Sequence, residues 1–248
     1  VTDMPALSLA DLPARLKDFC LAPRSYRLGY QQSSYDIAFD GYSYPGQTDS
    51  LNQGPEDQLH SFVFSDFSSP AHYPSEFQGF IKTHWGALCA EIQAVEQSIL
   101  LALGLDTIAR QQRQRFGHMM SANYYPGVDQ TDSSGLRLSP HPDVSLLTVF
   151  LQGLGEGFQY QDADGQWRDP GTTQTVTVFA GELLEWLTDG AVPALKHRVR
   201  YQDSTAERYS FALFSLPQPG AVLHSQQGKT ITTEGWYRLH LSQWDDPG

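Results

Sequence analysis

Thr175-Val176-Thr177-Val178-Phe179 alternates polar and apolar side chains with a period of two, the pattern of a strand with one buried face. It lies in Gln174–Phe179, one of seven short β-type runs between residues 118 and 216. The others are His118–Tyr125, Ser145–Leu151, Phe158–Tyr160, Leu183–Trp186, His197–Tyr201 and Tyr209–Leu216. Turn chemistry separates them, as in Asp162-Ala163-Asp164-Gly165 and Thr188-Asp189-Gly190. Many short strands at this spacing, without an alternating strand–helix rhythm, predict a sandwich or jelly roll.

The flanks read differently. Upstream, Phe77, Phe80, Ile81, His84, Trp85, Leu88, Ile92, Val95, Ile99 and Leu103 recur at helical spacing between Pro74 and Gly104, with Ser75 as N-cap. A charged helix follows from Asp106 to about Arg115. Residues 7–20 are also helical in period, interrupted by Pro13, and residues 24–75 read as irregular with short strands, including Ser61–Phe67. A last strand is expected at Thr230–Thr233 in a polar tail that could cover one end of the barrel. The expected architecture is mainly β with a helical annex: residues 1–117 packed on a core of residues 118–217, and a C-terminal extension of residues 218–248, as one folding unit.

Composition narrows the function. The chain has 248 residues, 40% of them hydrophobic and 12% aromatic, enough for a core and too apolar for disorder. With 28 Asp+Glu against 16 Lys+Arg, the net charge of -12 lacks the footprint of a nucleic-acid binder. No apolar run reaches the roughly 18 residues of a membrane span. The first residues lack a basic stretch followed by an apolar one, so no secretory signal is expected. Cys20 and Cys89 show no paired spacing and read as reduced thiols, which suits a cytoplasmic protein.

Chemistry concentrates in Ser139-Pro140-His141-Pro142-Asp143. In an extended segment His141 and Asp143 point to the same side, offering an imidazole and a carboxylate to a divalent metal. His197, at the start of a later β-type run, is the natural third ligand. Two His and one carboxylate on one face leave adjacent coordination positions open, as non-haem Fe(II) oxygenases require. Arg208 and Ser210 share a face of the strand that carries Phe211 to Phe214, and a guanidinium there calls for an anion. A small ligand's carboxylate fits; Glu182, Glu185 and Asp203 are structural alternatives. Asn123 and Tyr125 likewise share a face. His60, His72, His84, His118, His224 and His240 show no ligand spacing and receive no role.

NYYPG (123–127), HPDVSLLTVFL (141–151), GELLEWLTDG (181–190), LKHRVR (195–200) and ERYSFALFSLP (207–217) together resemble the isopenicillin N synthase-like branch of the Fe(II)/2-oxoglutarate-dependent oxygenases. The resemblance is dense from His118 to Pro217 and looser back to Gly29-Tyr30. It implies a double-stranded β-helix with Fe(II) on His141, Asp143 and His197, the catalytic centre of an oxidoreductase using dioxygen. It further implies 2-oxoglutarate held by Arg208 and Ser210 with help from Tyr125, and Asn123 alongside. Phe214 would line the substrate pocket, with Phe158 and Tyr160 as further candidates. The implied reaction is hydroxylation, desaturation or cyclisation of a small molecule, an amino acid or specialised metabolite, with release of succinate and CO2. A same-fold oxidase that uses no 2-oxoglutarate and a non-catalytic binding jelly roll are the alternatives. Asp143 speaks against a halogenase, which has Gly or Ala there. A monomer or weak homodimer is expected. The sequence departs from the family in a short N-terminal segment, which leaves one sheet edge open, covered differently or shared with a partner. It also departs at Pro142, at Glu182 and in the C-terminal segment.

Overall fold

The computed structural model describes residues 2–31, 40–46, 57–128, 135–202 and 205–241. Helix α1 (Leu12–Leu21) carries Pro13 in its first turn. The proline therefore starts this helix and does not interrupt it, because the N–H it lacks would have no intrahelical acceptor there. Leu12, Leu16, Phe19 and Cys20 form its buried face. Next come α2 (Arg24–Leu28), β1 (Gly41–Ser43) and β2 (His60–Ser65). The long helix expected after Pro74 forms as α3 (Ser75–Phe80), a π-helical turn over Ile81–Trp85, and α4 (Gly86–Ala102). Such wide turns insert a residue and re-aim the side chains around them. Trp85, at its end, donates its indole N–H to Asp66 at 2.7 Å.

Helix α5 (Asp106–Arg115) runs into β3 (Phe116–Tyr125). There follow β4 (Leu136–His141), β5 (Leu147–Phe150), β6 (Phe158–Gln161), β7 (Trp167–Arg168), β8 (Thr177–Ala180) and α6 (Glu182–Leu187). The chain continues through β9 (His197–Arg200), β10 (Arg208–Pro217), β11 (Val222–His224), β12 (Thr230–Thr232) and α7 (Thr233–Leu241). The strand expected at Leu183–Trp186 is thus a helix. Leu183, Leu184 and Leu187 share one buried helical face, and Glu182 and Glu185 favour the positive end of the helix.

Six strands form the main sheet in the order β1-β2-β3-β10-β5-β8, and four form the second in the order β4-β9-β6-β7. Neighbours in both are antiparallel. The eight strands β3 to β10 pass between the two sheets, giving the double-stranded β-helix, or jelly roll. Helices α1, α3 and α4 pack on the outer face of the main sheet, where Phe62, Phe64, Met120, Ala122, Phe211 and Leu213 join Leu16, Phe77 and Ile92 in the largest apolar cluster. Alternate residues of the same strands face the space between the sheets.

Residues 2–6 run beside the approach to β8. Thr2 donates to Val176 O, Val176 to Met4 O and Ala6 to Gln174 O, at 2.9–3.1 Å, and Pro5 bridges Thr175. These bonds occupy the backbone groups of residues 174–176, just before the edge strand β8.

Candidate active site

One cavity opens between the sheets. Its main-sheet floor is the inward set of β2, β3 and β10: Ser61, Val63, Met119, Ser121, Asn123, Tyr125, Arg208, Ser210, Ala212 and Phe214. Its opposite wall carries His141, Asp143 and His197. His141 ends β4 and His197 begins β9, and the two residues are direct cross-strand partners. That register brings together two histidines far apart in sequence, with ring centroids 4.5 Å apart. Asp143, two residues beyond His141, places Oδ1 3.6 Å from His141 Nε2 and Oδ2 3.9 Å from His197 Nε2.

The tautomers follow from hydrogen bonding. His141 Nδ1 lies 2.7 Å from Ser139 O, and His197 Nδ1 lies 3.2 Å from Leu195 O. A carbonyl oxygen only accepts, so each Nδ1 carries a proton and Nε2 is the ring atom that faces Asp143; burial opposes protonation of His141, but the Asp143 carboxylate beside it outweighs that and raises it. Burial pushes His197 down to about 4, so it stays neutral. Burial alone would raise Asp143, but His197, His141 and a hydrogen bond from Thr148 outweigh it and hold its carboxyl below the usual range. Thr148 donates to Asp143 Oδ2 at 2.7 Å, and Ser145 lies 2.8 Å from the Thr148 hydroxyl. These supports are the kind that orient metal ligands. Gly181 lets the chain pass close by: a Cβ there would sit 2.2 Å from Ser145 O and 2.8 Å from Asp143 O. Its neighbour Glu182 donates its backbone N–H to Asp143 O at 2.7 Å. Burial, with Glu185 and Asp143 close by, pushes the Glu182 carboxyl up to about 7. Three donors, one nitrogen from each His and one carboxylate oxygen, suit a divalent iron-type ion.

Across the cavity, Arg208 lies with its guanidinium carbon 4.7 Å from the centre of the Tyr125 ring. Its Nε donates to Glu156 O at 3.2 Å, and among the described residues its buried Nη1 has no hydrogen-bond partner. Among the described residues it has no ion pair, neither with Glu182 nor with Glu185; Asp203 lies outside them. A chain of hydrogen bonds crosses the floor toward it. Ser61 and Ser121 hydroxyls lie 2.9 Å apart, Ser121 donates to Asn123 Oδ1 at 2.9 Å, and Asn123 Nδ2 donates to Ser210 Oγ at 3.3 Å. Ser210 accepts from Asn123, so its own proton is free for a ligand.

Of the predicted pocket residues, Phe214 lines the cavity, whereas Phe158 and Tyr160 do not. Phe158 is 2% exposed and stacks behind His197 at 5.4 Å, with Phe179 beside it. Tyr160 packs against the same cluster. Their strand β6 pairs with β9 on the side away from β4, which turns them into backing for the site. Sequence reasoning missed Thr148, Ser121 and Trp236, whose indole N–H donates to Val144 O at 3.1 Å beside Asp143. Only Thr148 left a trace, inside the HPDVSLLTVFL stretch.

A jelly roll with two histidines and an aspartate converging in its cavity presents the donor set that non-haem metal proteins use. Residues 116–217 match the family described as the 2OG-Fe(II) oxygenase superfamily. It is 36% identical over 108 residues to the 2-oxoglutarate-dependent dioxygenase AOP3 of Arabidopsis thaliana, covering 43% of this chain and 26% of that protein. It is 26% identical over 192 residues to validamycin A dioxygenase of Streptomyces hygroscopicus subsp. limoneus, covering 72% and 53%. The chain thus spans about a quarter of the first of these relatives and about half of the second. A 2OG-Fe(II) oxygenase family protein from Caulobacter crescentus has the same fold at TM-score 0.77 and 19% identity, covering 96% of this chain and 87% of that one. So does a full-length Neurospora crassa protein solved in complex with alpha-KG, at TM-score 0.73 and 19% identity, covering 93% and 81%.

Proposed function

We propose that this chain is an Fe(II)- and 2-oxoglutarate-dependent oxygenase that hydroxylates, desaturates or cyclises a small organic molecule, an amino acid or specialised metabolite. The observation that carries this reading is the Arg208 Nη1, buried and, among the described residues, unpartnered in the cavity that also holds the His141–Asp143–His197 donor set. A buried cationic donor without an acceptor is costly, and a bidentate carboxylate from a small ligand relieves that cost. When bound, iron with 2-oxoglutarate supplies the oxidising power for C–H chemistry, with dioxygen consumed and succinate and CO2 released.

The protein's share is binding and orientation. His141, Asp143 and His197 would hold the metal, with Ser139 O, Leu195 O and the Thr148 hydroxyl fixing the orientation of the three side chains. Arg208 and the Ser210 hydroxyl hold the distal carboxylate of 2-oxoglutarate, with the Tyr125 ring beneath the guanidinium and Asn123 keeping Ser210 in place. Phe214, Val63 and Met119 form an apolar wall that excludes water and positions the substrate. We place the protein in the cytoplasm, which suits its two buried free thiols, acting as a monomer or weak homodimer in which residues 1–117, 118–217 and 218–248 fold together. The net charge of -12 argues against a nucleic-acid partner, and among the described residues no helix is long and apolar enough to cross a membrane.

The test is succinate formation from 2-oxoglutarate across a panel of amino acids and specialised metabolites. Substrate-stimulated succinate in the wild type, lost in His141→Ala, is expected. Full turnover in His141→Ala contradicts the reading. Oxygen uptake without 2-oxoglutarate replaces it with a same-fold oxidase, and metal binding without any turnover replaces it with a binding protein.

A further inference from the structure

On the face of the main sheet turned away from the cavity, one polar cluster interrupts the apolar layer beneath α4. His118 of β3 is 4% exposed, and Glu96 of α4 is fully buried. Glu96 Oε2 lies 3.1 Å from His118 Nε2, and Ser215 of β10 donates to Glu96 Oε1. With Nε2 donating to Glu96, the tautomer that suits this contact leaves His118 Nδ1 as the ring's acceptor. The other ring nitrogen faces Asp66, 3.8 Å from its Oδ2. One ligand atom each from Asp66, Cys89 and His118 lie within 4.8 Å of one another. Asp66 is held in place by the Trp85 indole on Oδ1 and by the His118 backbone N–H on Oδ2, at 2.7 and 2.9 Å. Its side chain is 38% exposed, whereas Cys89 and His118 are buried, so the cluster opens to solvent on the Asp66 side alone.

We propose that Asp66, Cys89 and His118 form a second metal site, separate from the oxygenase centre, that takes a zinc-type divalent ion with solvent as the fourth ligand. A thiolate, an imidazole and a carboxylate are the donors such an ion selects, and the cavity triad offers no sulfur. The Glu96–His118 contact has the arrangement that orients a metal-ligating histidine: the far nitrogen donates to a carboxylate and the near one turns its lone pair inward. At zinc bond lengths tetrahedral ligands stand roughly 3.3–3.8 Å apart, so the three side chains draw in by about an ångström on binding. Burial, with Asp66 and Glu96 nearby, pushes the Cys89 thiol up, so the metal-free cysteine keeps its proton. Metal entry breaks the S–H bond, forms the metal–sulfur bond and releases that proton to solvent. The bound ion would tie the β2–α3 segment, α4 and β3 together on the outer face of the sheet.

The experiment is a cobalt(II) titration of the full metal-free chain, read by equilibrium dialysis and electronic absorption. A thiolate-to-cobalt charge-transfer band in the near ultraviolet reports this site alone, because the triad has no sulfur. The wild type is expected to bind two equivalents and show the band. The His141→Ala/His197→Ala double variant should bind one and keep the band, and Cys89→Ser should bind one and lose it. Asp66→Asn, at a solvent-facing position, should keep the fold and weaken cobalt binding at this site tenfold or more. A single equivalent in the wild type without the band overturns the proposal and leaves the Glu96–His118 contact as a structural hydrogen bond. A band that survives Cys89→Ser, or a cobalt affinity unchanged in Asp66→Asn, overturns it equally.

Discussion

Strands β2, β3 and β10 carry two contrasting surfaces on alternate residues. The outer one, with Phe62, Phe64, Met120, Ala122, Phe211 and Leu213, is almost dry, and none of these is more than 2% exposed. The inner one, with Ser61, Ser121, Asn123, Arg208 and Ser210, is a polar track within the cavity. The two differ by a single residue in register, and a slip of one position would exchange them. The contrast teaches a division of labour. Packing on the outer face holds the sheet rigid, so the inner face can carry a buried guanidinium and ordered hydroxyls that add little to stability and much to ligand binding.

Substitutions at the metal-facing wall should show the largest effect on chemistry and little on the fold. His141→Ala or Asp143→Ala should cut 2-oxoglutarate turnover about a thousandfold or more, while thermal unfolding of the metal-free variants stays near wild type. The outer face should behave in the opposite way. Phe62→Ala should cost about 3–5 kcal/mol in chemical denaturation, with 2-oxoglutarate affinity of the folded fraction unchanged. Arg208→Leu is the inner-face counterpart. It should raise the KM for 2-oxoglutarate roughly 30–100-fold, the equivalent of about 2–3 kcal/mol for a lost charged hydrogen-bond pair, without loss of stability. Thr148→Val removes only the hydrogen bond that orients Asp143, and iron affinity should fall roughly 10–100-fold by metal titration.

The smallest expected effect concerns pH. Burial and then Arg27 push His60 down to about 4, below its ordinary value of 6.5. The unfolded chain therefore binds a proton that the folded one refuses. This contribution to stability is full above about pH 6.5 and is lost as pH falls toward 4. His60→Gln should flatten the fall in melting temperature across that window; an unchanged slope would show that His60 titrates alike in the folded and unfolded chain.

Much of this was legible from the sequence because the signals are local. The period-two runs located most strands, and the i, i+2 pairs His141/Asp143 and Arg208/Ser210 needed only extended backbone to converge. Leu183–Trp186 was misread because a short apolar run carries no period of its own, and the deciding cues were Gly181 and the two glutamates of the first turn. Phe158 and Tyr160 were assigned to the pocket because nothing in their own strand says which neighbour it pairs with. Thr148 on Asp143, the carbonyl bonds to both histidine rings and the meeting of Asp66 with Cys89 and His118 are tertiary facts, set by register and by the wide helical turn before α4.

The most direct measurement of the central claim is the visible absorption of the anaerobic Fe(II) protein as 2-oxoglutarate is added. The wild type should develop a weak charge-transfer band that saturates at one 2-oxoglutarate per chain. His141→Ala should show none, and Arg208→Leu should need far more 2-oxoglutarate to reach it. A wild-type protein that binds Fe(II) yet shows no band at saturating 2-oxoglutarate would contradict the assignment of the cavity.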